Sequence, residues 1–190
     1  MRLMAQKIMA TADTLKDKET EAFLREILDA NRIYVMGAGR SGLVAKAFAM
    51  RLMHLGFTAF VVGETITPAM RGKDLLVIFS GSGRTKTIAD IAETAHAIGG
   101  RIALITANRE SRIGAIADVI VKIEHQRDEV KDDTAEFEVR QMTGEHKSFA
   151  PLGTLFETAA MVFADACISL LMEISQIDEK ELKDRHANIE

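Results

Sequence analysis

The sequence predicts an α/β fold, a three-layer αβα sandwich built on a five-stranded parallel, doubly wound sheet. Short β-rich runs alternate with helical patterns of about 12 residues, which is typical of βαβ units. These runs are apolar almost throughout, as expected for parallel strands that are covered on both faces. Right-handed crossovers between such strands give an open sandwich that binds ligands beyond the carboxyl ends of its strands.

The elements follow in chain order from these patterns. Apolar residues recur at helical spacing over residues 1–30, which predicts one or two amphipathic helices. Gly56 and the pair Gly99 and Gly100 are plausible C-terminal glycines of two later helices. The predicted strands are 32–36, 58–62, 74–80, 101–106 and 118–123, and the later predicted helices are 43–56, 87–100, 112–117 and 155–174.

A chain of 190 residues is long enough for one domain with a full hydrophobic core. We expect a single domain with N-terminal helices (1–30), a βα core (31–123), a charged loop (124–150) and C-terminal helices (151–190). The charged stretch is most simply a solvated loop, because it holds few apolar residues to bury.

Composition excludes several classes of function. The net charge of −4 and the pI of about 5.8 give no global positive field, so we expect neither nucleic acid nor a membrane surface as a partner. The single cysteine, Cys167, excludes a disulfide framework, favours a reducing, cytoplasmic location and is predicted to be a core residue. The charged N-terminus is no signal peptide, and no uninterrupted apolar run approaches the roughly 18 residues of a membrane span.

Two glycine-rich loops follow predicted strands. The first, "GAGRSG", places Gly37, Gly39 and Gly42 in a G-x-G-x-x-G pattern between a strand and a helix. The second, "SGSGRT" (80–85), combines glycines with three hydroxyls at the same position of a neighbouring unit. Backbone amides of a glycine-rich turn, hydroxyls and a helix N-terminus together suit one phosphate monoester.

Other interpretations of the loops stay open. The first loop, with Glu64 about 20 residues further on, also matches the dinucleotide fingerprint. Against it, a dinucleotide site needs no second phosphate loop, and the chain has no room for the separate substrate domain of a dehydrogenase. The simplest structural alternatives are a tight helix-packing turn for "GAGRSG" and a plain turn with Thr85 as an N-cap for "SGSGRT".

Further motifs identify a family resemblance that runs from about Arg32 to Glu190. In order and spacing, the sequence resembles the 6-phospho-3-hexuloisomerases, a group within the SIS (sugar isomerase) domain family, although its charged stretch at 124–147 is longer than expected for that group. The motifs are "GAGRSG", "FAMRLMHLGF" (48–57), "VGETITP" (62–68), "SGSGRT", "PLGTLFE" (151–157) and "RHANIE" (185–190).

The resemblance implies an enzyme that interconverts D-arabino-hex-3-ulose 6-phosphate and D-fructose 6-phosphate. This is the second step of the ribulose monophosphate pathway, which fixes or releases formaldehyde. It further implies no cofactor, a homo-oligomer that is usually a tetramer, and a functional pairing with a hexulose-phosphate synthase. We expect no metal site, because His96, His125 and His146 lack a ligand constellation. The alternatives are another SIS-type phosphosugar isomerase and a non-catalytic phosphosugar-sensing module, since SIS domains also serve regulators.

The resemblance also assigns site residues. Glu157 is the candidate general base, although alone it reads as an ordinary first-turn glutamate. His54 borders the site by resemblance, and His186 is a second acid/base candidate, because related isomerases bring a C-terminal histidine into a neighbouring subunit's pocket. The phosphate ligands are Ser41, Ser80, Gly81, Ser82, Gly83, Arg84 and Thr85, and the rim residues are Gly39, Arg40 and Glu64.

Overall fold

A computed structural model describes residues 1–124 and 154–189 of the chain. Apart from Glu124, the predicted charged loop (124–150) lies outside the described residues, as do the first three residues of the "PLGTLFE" motif.

The sheet has five parallel strands in the order β2-β1-β3-β4-β5, which confirms the predicted architecture. The chain order reverses between β1 and β3, and there the last residue of β1, Gly37, aligns with the last residue of β3, Phe79. In open α/β sheets such a switch point is where ligands bind. The strands are β1 (Ile33–Gly37), β2 (Ala59–Val61), β3 (Leu75–Phe79), β4 (Arg101–Thr106) and β5 (Val119–Lys122).

Helices cover both faces of the sheet and give the predicted three layers. One face packs on α2, α3 and α5, where the rings of Phe23 and Phe163 lie 5.7 Å apart. The other face packs on α4, whose buried alanines allow close approach to the strands. In the described part of the chain the helices are α1 (Arg2–Ala12), α2 (Asp17–Asp29), α3 (Arg40–His54), α4 (Lys86–Ala97), α5 (Thr154–Ser175) and α6 (Glu179–Asp184).

The prediction of a short helix at 112–117 is wrong. This segment is a series of turns that packs on the second glycine loop. The Ile113 amide donates to the Gly83 carbonyl at 3.2 Å, and the Gly114 amide donates to the Ser111 hydroxyl at 3.1 Å. The segment goes no further than one turn, because the Asp118 amide donates to the Ile102 carbonyl of β4 at 2.9 Å as the chain enters β5.

Helix α5 is long and apolar enough to cross a membrane by length and composition alone, with a mean hydropathy of 1.7 over 18 residues. Half of that window is buried inside the fold, where Phe163 and Cys167 lie in the core beside α2 and α3. Burial raises the pKa of the Cys167 thiol to about 12. The helix is therefore part of the hydrophobic core, and the core assignment of Cys167 is confirmed.

Candidate active site

The first glycine loop is a tight strand–turn–helix connection at the switch point. A methyl group on Gly37 would lie 2.7 Å from the carbonyl carbon of Ser41, and one on Gly42 would lie 2.7 Å from the Gly37 carbonyl oxygen. Gly39 has a φ of +55°, a value that few other residues adopt readily. The loop is therefore a tight helix-packing turn, as the structural alternative for "GAGRSG" predicts. This packing brings Ser41 and the N-terminus of α3 to the end of β1.

The second glycine loop folds its hydroxyls against its own backbone. The Gly83 amide donates to Ser80 Oγ and the Arg84 amide donates to Ser82 Oγ, both at 3.2 Å. Gly83 has a φ of +63°, and a methyl group there would collide with the Ser111 hydroxyl. The loop after β4 therefore supports this loop in a defined conformation.

Helix α4 begins directly after this loop, and the backbone amides at its N-terminus are unsatisfied. Thr85 is its N-cap residue, but the Thr85 hydroxyl makes no capping hydrogen bond. Within residues 1–124 and 154–189, the amides of Thr85, Lys86 and Thr87 find no protein acceptor. Unsatisfied amides at the positive end of a helix dipole attract an anion such as phosphate.

The first turn of α5 lies against both loops. The Phe156 ring covers Gly81, where a methyl group would lie 3.2 Å from a ring carbon. Next to it, Arg40 Nε donates to Glu157 Oε2 at 2.5 Å. The side chain of Glu157 is only 12% exposed, whereas that of Arg40 is 59% exposed. The fold thus places the largely buried carboxylate of Glu157 beside the first glycine loop, where Arg40 begins α3.

Two other candidates lie at the edges of this region. Arg84 Nη2 donates to the Glu110 carbonyl at 3.0 Å and borders a cavity of about 420 Å³ beside the loop after β4. Glu64 accepts from Lys46 Nζ at 2.6 Å, so its carboxylate lies over the second turn of α3. Glu64 follows β2 and Glu110 follows β4, so these two contacts lie on opposite sides of the β1–β3 pair.

The two histidines lie together at the far end of α3. The His54 and His186 rings stack with centroids 5.0 Å apart, and Arg185 Nη1 donates to the His54 carbonyl at 3.0 Å. Burial, followed by the charges of His186 and Arg51, lowers the pKa of His54. Because α3 rises about 1.5 Å per residue, His54 is roughly 21 Å from Arg40. A single chain therefore does not bring these rings to the glycine loops.

The contact between Arg40 and Glu157 is not predicted by the sequence, because the two residues are 117 positions apart and no local pattern links them. The sequence does predict a helix N-terminus at the phosphate site. The amides of Lys86 and Thr87 were not among the predicted ligands, because these two residues follow the "SGSGRT" motif.

Two 3-hexulose-6-phosphate isomerases are similar to this chain over nearly its whole length. A 3-hexulose-6-phosphate isomerase from Bacillus subtilis is 41% identical over 180 residues, which cover 95% of this chain and 91% of the relative. One from Mycobacterium gastri is 37% identical over 190 residues, covering 100% of this chain and 89% of the relative.

One solved structure is similar to this protein over nearly the full length of both chains. A hypothetical protein from Methanococcus jannaschii, whose crystal structure infers a 3-hexulose-6-phosphate isomerase function, superimposes with a TM-score of 0.82 and 31% identity. The alignment covers 98% of this chain and 97% of that one. The sequence model of the SIS domain matches residues 26–144, which include both glycine loops. The chain belongs to the SIS domain family.

Proposed function

We propose that this protein is an isomerase that interconverts D-arabino-hex-3-ulose 6-phosphate and D-fructose 6-phosphate. One observation carries the proposal: the open helix N-terminus of the second loop and the largely buried Glu157 carboxylate occupy the same switch point. The first suits a phosphate group and the second suits a general base. The names of the relatives from Bacillus subtilis and Mycobacterium gastri support this choice of substrate.

The reaction moves a carbonyl from C3 to C2 by proton transfer alone. Glu157 removes the proton from C2, the electron pair forms the C2=C3 bond, and the C3 carbonyl oxygen becomes the oxyanion of a cis-enediolate. Glu157 then returns the proton to C3 while the O2 proton passes to O3, so that C2 becomes the carbonyl carbon. Because no electrons leave the substrate, we expect no redox cofactor.

The phosphate would bind at the second loop. Ser80, Ser82, Thr85 and the amides of the first turn of α4 supply its donors, and Ser41 adds a hydroxyl from the first loop. Arg84 would add positive charge at the edge of the phosphate site, where its Nη2 group donates to the Glu110 carbonyl. Gly39 and Glu64 would form the rim on the side of β2.

His54 and His186 would act from a neighbouring subunit. Their separation from the loops along α3 supports this, since no motion of one side chain spans such a distance. Exposed apolar residues on the outer faces of α3 and α5 support assembly with further copies of the chain, and the family resemblance favours a homotetramer. They include Leu43, Met50, Met53, Val162 and Leu170.

The proposed substrate also implies a partner and a location. A hexulose-phosphate synthase would supply the 3-ulose from formaldehyde and a pentulose phosphate, or remove it in the reverse direction. Relatives named 3-hexulose-6-phosphate isomerase act on a sugar phosphate, which supports a soluble protein, and we expect it in the cytoplasm.

A dinucleotide-binding enzyme is the less well supported alternative. Glu64, which would accept the ribose hydroxyl in that case, pairs with Lys46 instead. The two alternatives are separated by ligand-dependent melting of the protein. At about 100 times the Kd, a ligand stabilises the folded state by about 2.7 kcal/mol. Fructose 6-phosphate should therefore raise the Tm by several degrees, whereas NAD and NADP should not; the opposite pattern would refute the proposal.

The second loop should contribute chiefly to ground-state binding of the phosphate. Ser80→Ala and Ser82→Ala each remove a neutral donor to an anion, which costs about 1.5–3 kcal/mol and about 10- to 150-fold in affinity. The loss should appear in KM, with kcat nearly unchanged. Ser169→Ala, on the exposed side of α5, is the control. A loss confined to kcat would instead place these hydroxyls at the reacting carbons.

A further inference from the structure

We infer that Arg40 belongs to the catalytic machinery: one side of its guanidinium positions the Glu157 carboxylate, and the other binds the two oxygens of the cis-enediolate. This inference rests on the proposed isomerase function and assigns Arg40 a role at the reacting carbons rather than at the rim of the site.

The contacts of Arg40 divide its guanidinium into two parts. Nε is bonded to Glu157 Oε2 at 2.5 Å. In the part of the chain that the structure describes, the two Nη groups of Arg40 make no hydrogen bond. Since the side chain is more than half exposed while Glu157 is largely buried, the guanidinium covers the carboxylate and presents its unused donors to the open side of the site.

The backbone fixes where this guanidinium starts. Arg40 is the first residue of α3, directly after Gly39, which has no side chain to cover it and whose surroundings are open. Close packing of Gly37 and Gly42 holds this turn against the end of β1. Glu157 is held in the same way, because the neighbouring Phe156 packs on Gly81. Both partners of the ion pair are therefore anchored by glycine contacts to the two loops that bind the substrate.

The chemistry of the step explains why an arginine suits this position. As Glu157 takes the C2 proton, negative charge leaves its carboxylate and appears on the oxygen at C3. A guanidinium beside both sites compensates the charge before and after the transfer, which is the arrangement that stabilises a developing oxyanion. In a cis-enediolate O2 and O3 lie on the same side, so two parallel N–H donors match them as they match a carboxylate.

Other ion pairs of the protein provide the contrast. Lys46 and Glu64 also join α3 to a neighbouring loop, but both of their side chains are about half exposed. Arg25 and Glu21 form an exposed pair within α2 at 3.7 Å. Asp74 is more deeply buried in its pair with Arg32, but it directly precedes β3 and so lies at the opposite end of the sheet. The pair of Arg40 and Glu157 combines a largely buried acid with a place at the switch point, where the proposed base has to be.

The test compares Arg40→Lys and Arg40→Ala with wild type. Loss of a single oxyanion donor costs about 10²- to 10³-fold in kcat, so Arg40→Ala, which removes two such donors, should lower kcat by at least that factor. KM should change little, because the phosphate ligands are untouched, and Tm should remain near that of wild type. Arg40→Lys keeps the charge without the paired donors, so it should recover only a small part of kcat. Added methylguanidinium should raise the kcat of Arg40→Ala, but not that of the control Arg25→Gln, which should match wild type throughout.

The outcomes separate this inference from the proposed function. If the wild-type protein converts hexulose 6-phosphate and Arg40→Ala does so equally fast, the inference is wrong and the function stands. A rise in KM alone, without a fall in kcat or rescue by methylguanidinium, would likewise return Arg40 to a binding role at the rim. If the folded wild-type protein has no activity, the proposed function fails first.

Discussion

Glu157→Gln should abolish most of the turnover while the protein still folds and binds sugar phosphate. Glutamine has the size of glutamate and keeps an oxygen that can accept the hydrogen bond from Arg40, but it cannot take up the C2 proton. General base catalysis contributes about 10²- to 10⁴-fold, so we expect kcat to fall by that factor. KM and Tm should stay close to their wild-type values. Steady-state kinetics and thermal melting of the purified variant measure all three.

The position of Glu157 explains why a fold defect is not expected. It lies in the first turn of α5, whose apolar side, including Phe156 and Ala160, is buried in the core. Glu21→Gln, at an exposed position of α2, is the matched control and should be fully active. Full activity in Glu157→Gln would remove the base assignment, and His54 or Glu64 would become the next candidate.

His186→Ala should also lose most of its activity. Refolding it together with the inactive Glu157→Gln variant should restore part of that activity. We propose that each site takes Glu157 from one chain and His186 from a neighbour. When Glu157→Gln and His186→Ala are unfolded together and refolded, half of the chains carry each intact residue. Random assortment of two chains per site then leaves about a quarter of the sites intact. The recovered activity of the mixture should approach this ceiling.

The structure gives this experiment its rationale. The His54 and His186 rings contact one another, and Arg185 ties the segment that follows α6 to the end of α3. The two histidines are therefore expected to enter the neighbouring site as a unit. Each variant refolded alone is the control and should stay inactive. Mixed oligomers that are shown to contain both chains but have no activity would contradict a shared site.

The sheet was predictable because its strands are buried on both faces. The run 74–80 closely matches β3 (Leu75–Phe79), since a continuous apolar run has only one plausible place in such a fold. The helix predicted at 112–117 failed because the chain enters β5 directly afterwards, and the Asp118 amide pairs with the Ile102 carbonyl of β4 instead of continuing the turn. Local propensity was thus overridden by strand pairing that the sequence pattern does not reveal.

The candidate site was predictable where its chemistry is local. Both glycine loops follow their strands directly, so their meeting at one edge follows from a parallel sheet. The contact between Arg40 and Glu157 was not predictable, because it joins elements 117 residues apart. The grouping of His54 with His186 likewise depends on how the C-terminal segment returns to α3, which no motif specifies.

The protein's proposed conversion of hex-3-ulose 6-phosphate into fructose 6-phosphate is measured most directly by one coupled assay. Ribulose 5-phosphate, formaldehyde and a hexulose-phosphate synthase generate the 3-ulose in place, and the appearance of fructose 6-phosphate is followed over time. We predict that fructose 6-phosphate forms when wild-type protein is added and does not form with the synthase alone or with Glu157→Gln. Accumulation of unconverted hexulose 6-phosphate in the presence of folded, wild-type protein would contradict the proposed function.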